Sequence, residues 1–206
     1  MKKIVSCVLI ATASLCASVA HATPSLSFLI DGDTFGSPYS INNTSTMGEK
    51  VTRFVLDLST IATGGPFCFD TVNGGACNPS PQAPRAFAAQ GNSATVTGLV
   101  SPASVADGST VLDLNFIDFN AGETFIWDID VDSASAVTVL GNSLIGATAT
   151  VYFSNGQAAF GTLRGVPGNS DASQFSIDIV RSVPEPTTLA LFGLAGLALL
   201  RRRKQA

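Results

Sequence analysis

The chain predicts an all-β fold, a single β-sandwich of the jelly-roll sort, with a barrel as the alternative closure. Three observations carry that expectation. Short runs of alternating or wholly apolar residues follow one another through the middle of the chain, separated by Gly, Asn, Ser and Pro. No segment there keeps an apolar stripe at helical spacing over a convincing length. The segment Tyr152-Phe153-Ser154-Asn155-Gly156-Gln157-Ala158 is a hairpin signature, its Asn-Gly pair offering the two positive φ values of a type I′ turn.

Strands are expected over residues 25–30, 50–58, 94–99, 110–119, 123–132, 144–154, 157–163 and 174–181. In the first, Leu26, Phe28 and Ile30 fall at every second position. Phe54, Leu56 and Leu58 repeat the pattern in the second, and the β-branched Thr95, Val96 and Thr97 mark the third. The fourth and fifth alternate most strongly, through Leu112, Leu114 and Phe116 and then Phe125, Trp127, Ile129 and Val131. A connection, Phe119-Asn120-Ala121-Gly122-Glu123, joins them. The sixth and seventh flank the Asn-Gly turn, and Phe175 and Ile177 set the register of the last. Residues 23–182 are about one domain's length and can bury a core without a cofactor.

The two ends are of a different kind. Met1-Lys2-Lys3 is a basic start, residues 4–20 are an apolar run with only small polar interruptions, and Ala20-His21-Ala22 is a small-x-small cleavage site. Residues 1–22 therefore read as a secretory signal peptide, helical in its apolar part, with cleavage between Ala22 and Thr23. At the other end Val183-Pro184-Glu185-Pro186 precedes an uncharged apolar stretch over residues 187–200, and Arg201, Arg202, Arg203 and Lys204 follow it. The twelve residues 189–200 carry no polar side chain. As a helix they would span about 18 Å, short of a hydrocarbon core of about 30 Å, so this is a marginal anchor with its cations on the cytoplasmic side. Pro184 and Pro186 lack amide donors, and Pro186 disfavours helical geometry at Glu185, which keeps the motif extended and readable.

This order of motif, apolar segment and basic stop resembles the sorting signal of PEP-CTERM proteins, and the resemblance is confined to residues 183–204. It implies recognition and cleavage by a membrane transpeptidase, an exosortase. It also implies an exported precursor held in the inner membrane and then passed to the cell surface or extracellular matrix of an exopolysaccharide-producing bacterium. The alternative for residues 183–206 is an uncut membrane tail.

Removing the two ends restricts the chemistry left in residues 23–182. The only histidine, His21, leaves with the signal peptide, which excludes a Ser-His-Asp or Cys-His hydrolase and any His-ligated zinc site. Fourteen acidic residues stand against Lys50, Arg53, Arg85, Arg164 and Arg181, a net charge of about −9, so no nucleic acid is an expected partner. Cys68 and Cys77 remain, in an exported segment with Asn73-Gly74-Gly75 between them, and are expected to form a disulfide.

The segment Trp127-Asp128-Ile129-Asp130-Val131-Asp132 is the one with a candidate binding chemistry. On a strand Asp128, Asp130 and Asp132 share a face opposite Trp127, Ile129 and Val131. Two readings stand: a solvated face that repels edge-to-edge pairing, or a calcium site using some of these aspartates with a nearby loop. Same-face neighbours lie about 7 Å apart, too far for all three to hold one ion without a bend. The segment is no EF-hand, since Ser133 and Val139 stand where glycine and glutamate are required. Asp31-Gly32-Asp33 is a lesser candidate pair that also reads as a turn, and Asn42-Asn43-Thr44-Ser45 holds two overlapping glycosylation sequons. No cofactor is expected, unless the second reading of the aspartates holds, in which case it is calcium. The functional expectation is a non-enzymatic surface or matrix protein associated with exopolysaccharide. A glycan-binding module, calcium-assisted through these aspartates, and a secreted glycoside-active enzyme are the alternatives.

Overall fold

Side-chain alternation decides where the strands run. In β1 (Ser25–Asp31) Leu26, Phe28 and Ile30 are buried, and in β2 (Tyr39–Asn43) Tyr39, Ile41 and Asn43 are. There follow β3 (Val51–Asp57), β4 (Phe67–Asp70), β5 (Ala88–Ala89), a short helix α1 (Ser93–Thr97), β6 (Leu99–Ser101) and β7 (Val111–Phe119). The chain continues through β8 (Thr124–Asp128), β9 (Asp130–Ser133), β10 (Thr148–Phe153), β11 (Ala158–Thr162), β12 (Arg164–Val166) and β13 (Asn169–Asp178). This computed structural model describes residues 24–46, 48–77, 83–133 and 138–178, all inside one compact unit, Ala22–Ile179. The expected signal peptide and its Ala22/Thr23 cleavage point, the motif Val183, Pro184, Glu185 and Pro186, the apolar stretch and the basic stop from Arg201 to Lys204 lie outside the described residues.

The strands form a six-stranded sheet ordered β12-β13-β1-β2-β8-β5, a five-stranded sheet ordered β11-β10-β3-β7-β6, and a ribbon, β4-β9. Every pairing among the described residues is antiparallel. The inner faces of the two large sheets share one core. Phe28, Tyr39, Phe125, Trp127 and Phe175 come from the first sheet, and Phe54, Leu56, Leu112, Leu114 and Val151 from the second. Across the interface the Phe28 and Phe54 rings stack at 6.0 Å between centroids, and Phe54 and Phe175 at 6.2 Å. Each such ring removed from water contributes roughly 1.5–3 kcal/mol. The all-β sandwich expectation is met.

The jelly-roll topology is not. In a jelly roll most successive strands lie in opposite sheets, whereas here β1–β2, β6–β7, β10–β11 and β12–β13 each stay within one sheet. The physical reason is turn length: connections such as residues 154–157 and 167–168 are too short to do anything but set neighbouring strands side by side. The chain changes sheets at longer or bent connections, β2 to β3 and β7 to β8 among them. At the first of these, buried Asn43 ties the corner. Its Nδ2 donates to the carbonyls of Glu49 (2.8 Å) and Phe119 (3.0 Å), and its Oδ1 accepts from the Ser45 amide (3.1 Å), so this sequon asparagine is occupied inside the fold.

Four local expectations are corrected. Residues 93–97 are helical, because Gly98 adopts the left-handed conformation (φ 63°) that ends a helix, and a Cβ there would meet Ile117 Cγ1 at 2.8 Å. The strand expected from residue 144 starts at Thr148, after a 3-10 turn over Gly141–Leu144. The strand expected over 123–132 breaks at Ile129. The Asn155-Gly156 hairpin exists, but only Gly156 has positive φ (80°); the loop is the three-residue form, closed by Gly156 N–H donating to the Phe153 carbonyl at 3.0 Å. The Asn155 side chain, accepting from the Gln157 amide at 3.0 Å, fixes that choice.

Candidate functional site

The break at Ile129 separates the three aspartates. Asp128 ends β8, where its Oδ2 accepts from Arg85 Nη2 at 2.5 Å and from Gln90 Nε2. Asp130 and Asp132 belong to β9, whose register with β4 sets Asp70 opposite Asp130 and Cys68 opposite Asp132. Alternation then places Cys68, Asp70, Asp130 and Asp132 on one face of the ribbon. Here one carboxylate oxygen each of Asp70, Asp130 and Asp132 lies within 4.8 Å of the other two.

The solvated-face reading is overturned. Asp128, Asp130 and Asp132 are 3 %, 5 % and 0 % exposed, and Asp70 is 2 % exposed. The edge of β4 away from β9 is hydrogen-bonded as well, Phe69 N–H donating to the Ser109 carbonyl (2.8 Å) and Gly108 N–H to the Phe69 carbonyl (3.0 Å), so the strand that carries Asp70 is flanked on both sides. Burial first, and then the neighbouring Asp132 carboxylate, push the Asp70 carboxyl up to about 6. The same causes in the same order raise Asp130 to about 6, against the opposing hydrogen bonds from Thr34 and the Val131 amide. Thr34 Oγ1 and Val131 N–H both donate to Asp130 Oδ1, at 3.1 and 2.8 Å. Asp70 Oδ1 is sealed from solvent and has no hydrogen-bond partner. None of the ion pairs among the described residues involves Asp70 or Asp130.

The expected disulfide is present, joining Cys68 and Cys77 with their Cα atoms 5.5 Å apart. The loop it closes wraps around a carboxylate that sequence reasoning missed, Asp107. Its Oδ1 accepts from the amides of Thr71 (2.8 Å) and Val72 (3.2 Å), and its Oδ2 from those of Ala76 and Cys77 (3.1 Å). Burial pushes the Asp107 carboxyl up, but these four amides outweigh it and hold the group below the ordinary carboxylate range. Asp107-Gly108 reads in sequence only as a turn, so no local signal marks the role. The other lesser candidates are structural too: Asp33 Oδ1 accepts from the Phe35 amide at 3.0 Å, and Asp31 Oδ1 from Asn169 Nδ2 at 2.9 Å.

A second surface bears on glycan binding. Trp127 and Tyr39 are fully buried and stack at 5.4 Å, so neither forms a sugar platform. On the outer face of the five-stranded sheet, however, register aligns Ala158, Tyr152, Arg53 and Asn115 in one row and Phe160, Thr150, Val55 and Asp113 in the next. Arg53 clamps Asp113 through two hydrogen bonds of 2.8 and 2.6 Å and lies 5.3 Å from the Tyr152 ring centre. Phe160 is 65 % exposed beside them. A recess of about 390 Å³ near the ribbon is lined by Thr63, Phe67, Asn142, Ser143 and Ile145 among others, with no ionisable side chain.

Comparison with known proteins locates the sorting signal. The family model for the PEP-CTERM protein-sorting motif matches residues 182–204. The chain thus carries a PEP-CTERM motif at its C-terminal end, following the last strand in sequence. No curated protein and no solved structure matches the chain.

Proposed function

We propose that this chain is an exported precursor, cut by an exosortase-type transpeptidase near Pro184 and Pro186 and delivered as a non-enzymatic protein to the cell surface or matrix, in contact with exopolysaccharide. The PEP-CTERM match over residues 182–204 carries the reading, because the sorting segment begins only after β13 ends at Asp178 and leaves the sandwich intact when it is removed. The domain supports a non-catalytic role, since its converging carboxylates are buried away from any sugar ring. Deleting the exosortase in the producing strain tests it. Protein should then accumulate in the membrane fraction at full precursor mass less the signal peptide; unchanged release into the medium would defeat the proposal.

A glycan-binding module is the second reading, favoured by the face that combines Tyr152 and Phe160 with Arg53, Asp113 and Asn115. Aromatic surface beside fixed hydrogen-bonding groups suits a sugar's apolar and hydroxylated sides. Affinity electrophoresis of the exported protein through gels containing the host's matrix polysaccharide tests this, with retardation expected for wild type and lost in Phe160→Ala. A secreted glycoside-active enzyme remains the third reading, and release of reducing ends from the same polysaccharide would establish it.

A further inference from the structure

We infer that Asp70, Asp130 and Asp132 bind one hard divalent cation, calcium being the ion that fits, and that the bound ion clamps the β4–β9 ribbon to the sandwich. The inference rests on the geometry of the domain and is independent of how the chain is sorted.

Distance is the first argument. Oxygens that ligate one calcium at 2.3–2.6 Å stand at most about 5 Å apart. The three carboxylate oxygens lie within 4.8 Å of one another, so a single ion can touch all of them. They are held there by backbone: Asp70 and Asp130 are a direct cross-strand pair, Asp132 follows two residues on, and the disulfide from Cys68 fixes the strand that carries Asp70.

The second argument is independent of acidic clustering. Asp70 is 2 % exposed, and its Oδ1 has no hydrogen-bond partner. A buried carboxylate oxygen without a partner is costly, and native proteins satisfy such atoms. Asp130 Oδ1, by contrast, is already served by Thr34 and Val131, which aim that carboxylate without neutralising it. Arg85, the basic side chain that reaches β8, is committed to Asp128. Like charges set directly opposite in a ladder repel, so a buried Asp–Asp pair with no cationic side chain calls for a cation from solution.

The donor set selects the ion. It consists of carboxylate oxygens, the two nearby sulfurs are locked in a disulfide, and residues 23–182 contain no histidine, which disfavours zinc and copper. Magnesium demands a tighter octahedron at about 2.0–2.1 Å and gives up its water reluctantly. Asp128, one of the three aspartates picked out by sequence, is outside the site, and Asp70, far earlier in the chain, completes it.

The test uses the exported protein, stripped with EDTA and desalted. Isothermal titration with calcium chloride should give one saturable site per chain, and melting in 1 mM calcium should lie several degrees above melting in EDTA. Sodium chloride at matched ionic strength should not reproduce that shift. Asp70→Asn and Asp132→Asn should each weaken binding at least tenfold, while Asp128→Asn should leave it unchanged. Absence of a saturable site in the wild-type protein overturns the inference whatever the variants do. Full binding by Asp70→Asn overturns the placement, and an equal shift with magnesium overturns the choice of calcium.

Discussion

Asp70 stands directly opposite Asp130 across the β4–β9 ribbon, with both carboxylates buried, Asp130 drawing hydrogen bonds from Thr34 and the Val131 amide and Asp70 Oδ1 drawing none. The fold therefore keeps two like charges together where local sheet energetics would separate them. What stabilises the ribbon must come from elsewhere: the disulfide, the amides around Asp107, and whatever neutralises the pair.

The sign of the pH dependence follows from that pair. Both groups have folded-state values raised to about 6, from an ordinary 3.8. Between about pH 4 and 6 the folded protein thus holds protons that the unfolded chain has released, and stability falls as pH rises through this window. Asp107 and Asp113 are shifted the other way, and the stability they contribute is lost only as pH falls below the ordinary carboxylate range. In EDTA the melting temperature should therefore be higher near pH 5 than near pH 7.5, and Asp70→Asn should flatten the difference. A melting temperature in EDTA that climbs steadily from pH 5 to 7.5 would contradict this account.

Asp107 should matter more for stability than its place in a turn suggests. Hydrogen bonds to a charged acceptor contribute about 1.5–3 kcal/mol each when buried, and less at a half-buried site. Losing four amide donors at once in Asp107→Ala should cost about 3 kcal/mol, whereas Asp107→Asn, which keeps one acceptor oxygen, should cost about half of that. Urea unfolding of the two variants measures this. Equal stability of Asp107→Ala and wild type would show that the loop amides find water as readily.

Two phenylalanines on opposite faces give a contrasting pair. Phe28 is buried and its ring lies 5.4–6.2 Å from those of Tyr39, Phe54, Trp127 and Phe175, bridging both sheets. Phe28→Ala should cost about 3–5 kcal/mol. Phe160→Ala, on the open face, should change stability by no more than about 0.5 kcal/mol, which leaves it clean as a probe of glycan binding. A large loss at Phe160 would mean that this ring packs against something in the folded protein.

The strands were legible wherever period-two alternation ran long enough to outweigh other signals, as in β1, β3 and β7. Ser93–Thr97 was misread because Thr and Val favour strands, while the turn at Gln90 and the left-handed Gly98 that make it helical depend on the chain around it. The strands missed were short: β2, with an asparagine at an inward position, and β4, β5 and β12, of two to four residues each. Two of the three residues of the acidic site, Asp130 and Asp132, were visible. Asp70 was not, because its partnership is a matter of register between distant segments, and the kink at Ile129 that dismisses Asp128 leaves no mark in the pattern of side chains.

Processing gives the most direct test of where the protein goes. By sequence, Pro184 and Pro186 lack amide donors and Pro186 disfavours helical geometry at Glu185, just ahead of an apolar segment whose Leu and Ala residues have high helical propensity. Replacing both prolines by alanine restores the donors and lets a helix run backwards through the motif, hiding from the transpeptidase the extended backbone that it would have to grip. Wild-type protein recovered from the medium should then have an intact mass that excludes Arg201, Arg202, Arg203 and Lys204, while the double variant should stay in the membrane fraction with all four present. Because residues 182–204 lie beyond β13, both forms should share the same melting temperature, so a sorting defect cannot be mistaken for a folding defect. Released wild-type protein that still carries the four basic residues would end the case for cleavage.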